Sequence, residues 1–168
     1  AVLALGRRSG DALATQLLQL YQGSWRSFDD GLAATQRREG AAVAGLPDGS
    51  SLVVGGVDAS GAALDTLLRL VPGSGGEAPK LSLLAAPARA PRRAPAVAAS
   101  ASGVVLIAGG HAAQETAVEL FFASSQSTQG LPLGTGPDPR AGSAVVSLGS
   151  GRFALLGGVD EAGQPLAD

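Results

Sequence analysis

The sequence predicts an all-β chain built from repeated, four-stranded antiparallel units. Three observations carry that prediction. A glycine pair recurs at Gly55-Gly56, Gly109-Gly110 and Gly157-Gly158, at intervals of 54 and 48 residues. An arginine (Arg38, Arg92, Arg140) stands 17 residues before the first glycine of each pair. The composition is the third: the 168 residues include 25 glycines and 10 prolines, which break the apolar content into short runs. Short apolar runs between turn residues suit strands rather than long helices.

The elements follow in order from this frame. Three segments align without a gap: Arg38 to Gly56, Arg92 to Gly110 and Arg140 to Gly158, each with a further glycine (Gly49, Gly103, Gly151) six residues before the pair. Each reads as a hairpin. The predicted first strands are Ala41 to Leu46, Ala96 to Ser100 and Ser143 to Leu148. The second strands are Ser51 to Val54, Val104 to Ala108 and Phe153 to Leu156. Glycine at the intervening turn permits positive φ. The first strands are small because they converge on a common axis. The second strands are apolar throughout, as expected of strands covered on both faces.

Third strands are predicted over Thr15 to Tyr21, Leu64 to Val71 and Thr116 to Phe122. Fourth strands follow over Trp25 to Phe28, Lys80 to Leu84 and Ser127 to Leu133. A fainter second strand opens the chain at Val2 to Arg7, with Gly6 in the first-glycine position and Arg7 replacing the second. A helix over Asp11 to Leu20 is the local competitor, and the repeat frame disfavours it.

A period near 50 with four short strands per unit is the signature of a β-propeller blade. The expected division is a partial blade over 1–36, whole blades over 37–90 and 91–138, and strands one and two of another over 139–168. About three and a half blades make an incomplete ring, because propellers typically close with at least four. The expectation is a segment of a larger propeller that needs further blades of the same kind for closure.

The pattern resembles kelch repeats, in which an apolar second strand runs into Gly-Gly, a later strand ends near Tyr and a Trp follows. Tyr21-Gln22-Gly23-Ser24-Trp25 is similar to that ending. The later units depart from it, with Val71 and Phe122 near the Tyr position and no Trp. The Ala-rich repeats look like those of bacterial kelch or galactose-oxidase-type propellers, and that resemblance implies an exported or cell-surface protein. The galactose-oxidase family uses a cysteine-crosslinked tyrosine, a second tyrosine and histidine ligands. This chain has no Cys, one Tyr and one His, so it does not carry that site.

Other chemistries are weakly supported. A formal net charge of −2 gives no electrostatic footprint for nucleic acid or for an anionic membrane surface. Without cysteine there is no disulfide scaffold, thiolate zinc site or cysteine nucleophile. The uncharged stretch from Ala96 to Ala113 is interrupted by turn residues and makes a poor membrane span. His111 is the only histidine, so a metal site or a Ser-His-Asp triad would rest on it alone. Asp29-Asp30 reads as a solvated turn. Pro72 to Lys80 is glycine-rich but lacks the G-x-x-x-x-G-K-[ST] spacing of a phosphate loop and reads as a flexible loop. No catalytic residue, cofactor or metal is expected.

What remains is a face. Strands alternate direction within a blade, so loops after strands two and four emerge on one side. That side collects Arg7, Arg8, Asp58, His111, Glu115 and Asp160, with Asp29, Asp30, Arg37, Arg38, Arg92, Arg93, Asp138 and Arg140 from the second loop set. The opposite side receives Pro47 to Ser50, Ala101 to Gly103 and Gly149 to Gly151, which are small and almost uncharged. The repeated arginines are read as ties from the start of each inner strand to neighbouring backbone or carboxylate; the alternative is a basic ring at one mouth of the channel. The expected function is a non-catalytic binding or scaffold propeller that recognises a protein or glycan through this charged face. Its candidate residues are Arg38, Arg92, Arg140, His111, Asp58 and Asp160. The alternative is part of a carbohydrate-active or oxidase-type enzyme with its catalytic residues elsewhere.

Overall fold

Four antiparallel sheets follow one another along the chain in a computed structural model that describes residues 2–7, 13–29, 31–110, 118–131, 140–160 and 162–166. The first sheet has three strands, β1 (Val2–Arg7), β2 (Leu13–Tyr21) and β3 (Ser24–Phe28). The second has four: β4 (Ala42–Gly45), β5 (Ser51–Val54), β6 (Leu67–Val71) and β7 (Lys80–Leu83). The third repeats it with β8 (Ala96–Ala99), β9 (Val104–Ala108), β10 (Val118–Phe122) and β11 (Ser127–Gly130). The last is a hairpin of β12 (Ala144–Gly149) and β13 (Arg152–Leu156). Each strand pairs with the next in sequence. This is the up-and-down order of the predicted unit, and the fold is all-β and propeller-like.

The helical alternative over Asp11 to Leu20 is overturned. Residues 13–18 pair in register with β1, from Arg7 opposite Leu13 to Val2 opposite Leu18, and residues 17–21 pair with β3. A helix would have left β1 without a partner.

Strand ends differ from the sequence prediction where another backbone partner competes. β6 begins at Leu67 rather than Leu64, because Leu64 bridges Arg92 of the next unit; the Arg92 N–H donates to the Leu64 carbonyl at 3.0 Å. β4 stops at Gly45 because Leu46 enters the turn, donating to the Ser50 carbonyl and accepting from the Gly49 N–H. In β12–β13 the register shifts between Ser147 and Gly149, and Gly149, Ser150 and Gly151 all take positive φ. The predicted strand residues Thr116, Ala117, Pro132 and Leu133 lie outside the described residues.

The core sits between sheets. Leu52, Val54, Ala44 and Leu46 of the second sheet pack against Val105, Ile107 and Phe121 of the third. Leu106, Ala108 and Val118 on the other side of the third sheet meet Val145, Phe153 and Leu155 of the hairpin. Val53 and Leu68 carry the opposite face of the second sheet, with Leu32 from the connection that precedes it. β5 and β9 are therefore covered on both faces, which is why their sequences, SLVV and VVLIA, do not alternate. Among the described residues no helix is long and apolar enough to cross a membrane.

Candidate functional site

The three repeated arginines are buried. Arg38 and Arg92 are 0% exposed and Arg140 is 5% exposed. Their positions explain the 17-residue spacing. In each unit the guanidinium Nη1 donates to the carbonyl of the first glycine of the pair: Arg38 to Gly55 at 3.2 Å, Arg92 to Gly109 at 2.6 Å, Arg140 to Gly157 at 3.0 Å. The backbone of the same arginine holds the preceding unit. The Gly56 N–H donates to the Arg92 carbonyl and the Gly110 N–H to the Arg140 carbonyl, both at 2.8 Å. Arg92 and Arg140 thus each clip their own second strand with the side chain and the preceding unit's with the backbone, and Arg38 clips its own with the side chain.

This geometry dictates glycine. A Cβ on Gly55 would stand 2.6 Å from the Arg92 carbonyl oxygen, and one on Gly109 would stand 2.7 Å from that of Arg140. Both residues also hold positive φ, 64° and 67°, so an L side chain is excluded by conformation as well as by space.

The arginines differ in what balances their charge. Arg92 Nε donates to Glu119 Oε1 at 3.0 Å, with both side chains fully buried. Glu119 Oε2 accepts from the Arg89 N–H at 2.7 Å. Burial draws the Arg92 guanidinium below its ordinary pKa, and the Glu119 carboxylate opposes that shift. Arg38 has neutral acceptors instead: the Thr66 carbonyl and hydroxyl, both at 2.8 Å, and the Gln36 carbonyl at 3.1 Å. Burial lowers Arg38 to about 10, with Asp65 pulling the other way, so it remains a cation at neutral pH.

The loop aspartates form turns. Asp58 Oδ1 accepts from the Ser60 N–H and hydroxyl and from the Ala62 N–H at 2.6–3.0 Å. Asp160 Oδ1 repeats this with the N–H groups of Ala162 and Gln164 at 2.9 and 2.8 Å. The backbone closure also repeats: Asp58 with Ala62 and Gly61, Asp160 with Gln164 and Gly163. The Ser60 hydroxyl and then the Ala62 N–H hold the Asp58 carboxyl below its ordinary value. Arg93, exposed, reaches from the following connection to the Gly61 carbonyl at 3.0 Å, so the two loop sets do meet. A depression beside this contact region is lined by Thr35, Asp58, Ala59 and Ser60.

Several sequence expectations are thereby corrected or relocated. Arg38, Arg92 and Arg140 do not form a basic ring open to a partner, because their guanidinium groups are spent on buried carbonyls and on Glu119. Asp58 and Asp160 do lie on the loop side, as turn formers. His111, with Arg8, Asp30, Glu115 and Asp138, lies outside the described residues. Asp29 closes a small turn by accepting from the Gly31 N–H at 3.1 Å. The stretch from Pro72 to Lys80 is tied rather than loose: the Glu77 N–H donates to the Ser74 carbonyl, and Gln19 Nε2 from the first sheet donates to the Gly73 carbonyl. The opposite side is less bland than its sequence suggests, since Asp48 pairs with Arg69 there.

Glu119 and Thr66 are the residues that sequence reasoning missed. Glu119 lies 27 residues after its arginine and Thr66 lies 28 after its own, so the ungapped repeat frame places them out of register. Only the isolated acidic residue inside an apolar third strand, Val118-Glu119-Leu120-Phe121-Phe122, carried a signal.

No protein-family profile and no curated protein sequence matches the chain. Solved structures do match. One, titled "Structure of YjhT", superposes with a TM-score of 0.62 at 17% identity, covering 86% of this chain and 44% of the solved one. The chain therefore spans less than half the length of that structure, and the likeness speaks to the fold.

Proposed function

We propose that the chain is a non-catalytic binding or scaffold module of kelch type, and that it recognises a protein or glycan through the loops after its second and fourth strands. The observation that carries this reading is the construction of the loop at Asp58. A five-residue turn is fixed by three hydrogen bonds to one carboxylate oxygen, opens beside Thr35 and Ser60, and is touched by the exposed Arg93. Preformed polar loops on a rigid sheet scaffold lose little entropy on binding, which favours recognition over mere connection.

The burial of the repeated arginines moves the recognition surface outward, onto Arg93, Thr35 and Ser60. The test is a glycan array and a peptide display library probed with the purified chain. The unmodified chain is expected to retain a ligand that Arg93→Glu and Thr35→Arg each lose, with unchanged circular dichroism. A ligand retained equally by both variants refutes the reading.

A second reading rests on coverage. The matched structure is more than twice as long as the segment it shares with this chain. Under this reading the residues belong to a carbohydrate-active or oxidase-type propeller whose chemistry is supplied by other units. Cys, Tyr and His placed on propeller loops of the complete open reading frame would favour it.

A further inference from the structure

We draw no further inference here: the strongest candidate, the cleft opposite the loop face where Pro47 and Asp48 of the second unit meet Ala101, Ser102 and Ser124 of the third, has its Asp48 and Ser102 side chains already held by Ser50, Arg69 and Ser100, and nothing in the structure shows what covers it.

Discussion

Substituting Arg92 by methionine separates the structural account of the repeated arginines from any other. The guanidinium is fully buried and holds Glu119 at 3.0 Å and the Gly109 carbonyl at 2.6 Å. Methionine removes both contacts and leaves the Glu119 carboxylate buried against the Arg89 N–H at 2.7 Å. Breaking a buried ion pair from one side destabilises by about 3–5 kcal/mol, since the other charge is left uncompensated. Glu119→Leu should fall in the same range of about 3–5 kcal/mol for the reciprocal reason. The double variant leaves no stranded charge. It leaves the Gly109 carbonyl and the Arg89 N–H without these partners, at about 1–3 kcal/mol each. The sum of the single effects should therefore exceed the double effect by about 4 kcal/mol, as coupled neighbours require. Urea denaturation followed by far-ultraviolet circular dichroism measures all four corners of the cycle. Single effects below about 1 kcal/mol, or additive ones, would refute the buried clip.

Other consequences are equally open to measurement. Arg38→Met strands no carboxylate but strips the Gln36, Gly55 and Thr66 carbonyls and the Thr66 hydroxyl of a donor. At about 1 kcal/mol each it should cost about 4 kcal/mol, which the same denaturation assay measures. Gly109→Ala should abolish stable folding or cost above about 3 kcal/mol, since its Cβ would press on the Arg140 carbonyl, whereas Gly157→Ala should cost only about 1–2 kcal/mol for positive φ. Asp58 and Asp48 titrate below the ordinary 3.8, held chiefly by hydrogen bonds from Ser60 and Ser50 respectively. A lowered folded-state pKa stabilises above 3.8 and loses that contribution as pH falls through the lowered value. Denaturation midpoints should decline below about pH 4, and Asp58→Asn with Asp48→Asn should flatten that decline.

The fold was legible in the sequence because its strongest signals are local. Gly-Gly ends and six-residue turn spacing mark strands two in the three aligned units, and β5 and β9 fall where the runs SLVV and VVLIA place them. Strand ends were less legible where partners come from a neighbouring unit, as at Leu64, which bridges Arg92 across the boundary. The arginines show the same limit in sharper form. Their spacing is visible in the sequence and predicts a tie at the start of each inner strand. Whether such a cation faces solvent or a carbonyl depends on what the next unit covers, which no spacing within one unit reveals. Asp58 and Asp160 likewise occupy loops on the expected side, yet their carboxylates are engaged by the N–H groups two and four residues on. That signature, Asp followed by Ser or Glu two or one residues later and Gly at the third, is written in Asp58-Ala59-Ser60-Gly61 and Asp160-Glu161-Ala162-Gly163, and reads as turn chemistry.

The central claim is that arginine and glycine pair form one clip, with the side chain holding its own unit and the backbone holding the preceding one. Native-state hydrogen exchange of the Gly56 and Gly110 amides tests it most directly. Both amides donate across a unit boundary to an arginine carbonyl at 2.8 Å. The account predicts that they exchange as slowly as the amides of Val53 and Ile107 in the buried second strands, and that Arg92→Met accelerates both together. Exchange of either amide at the rate of an exposed loop residue such as Gly75, in the unmodified chain, would contradict it.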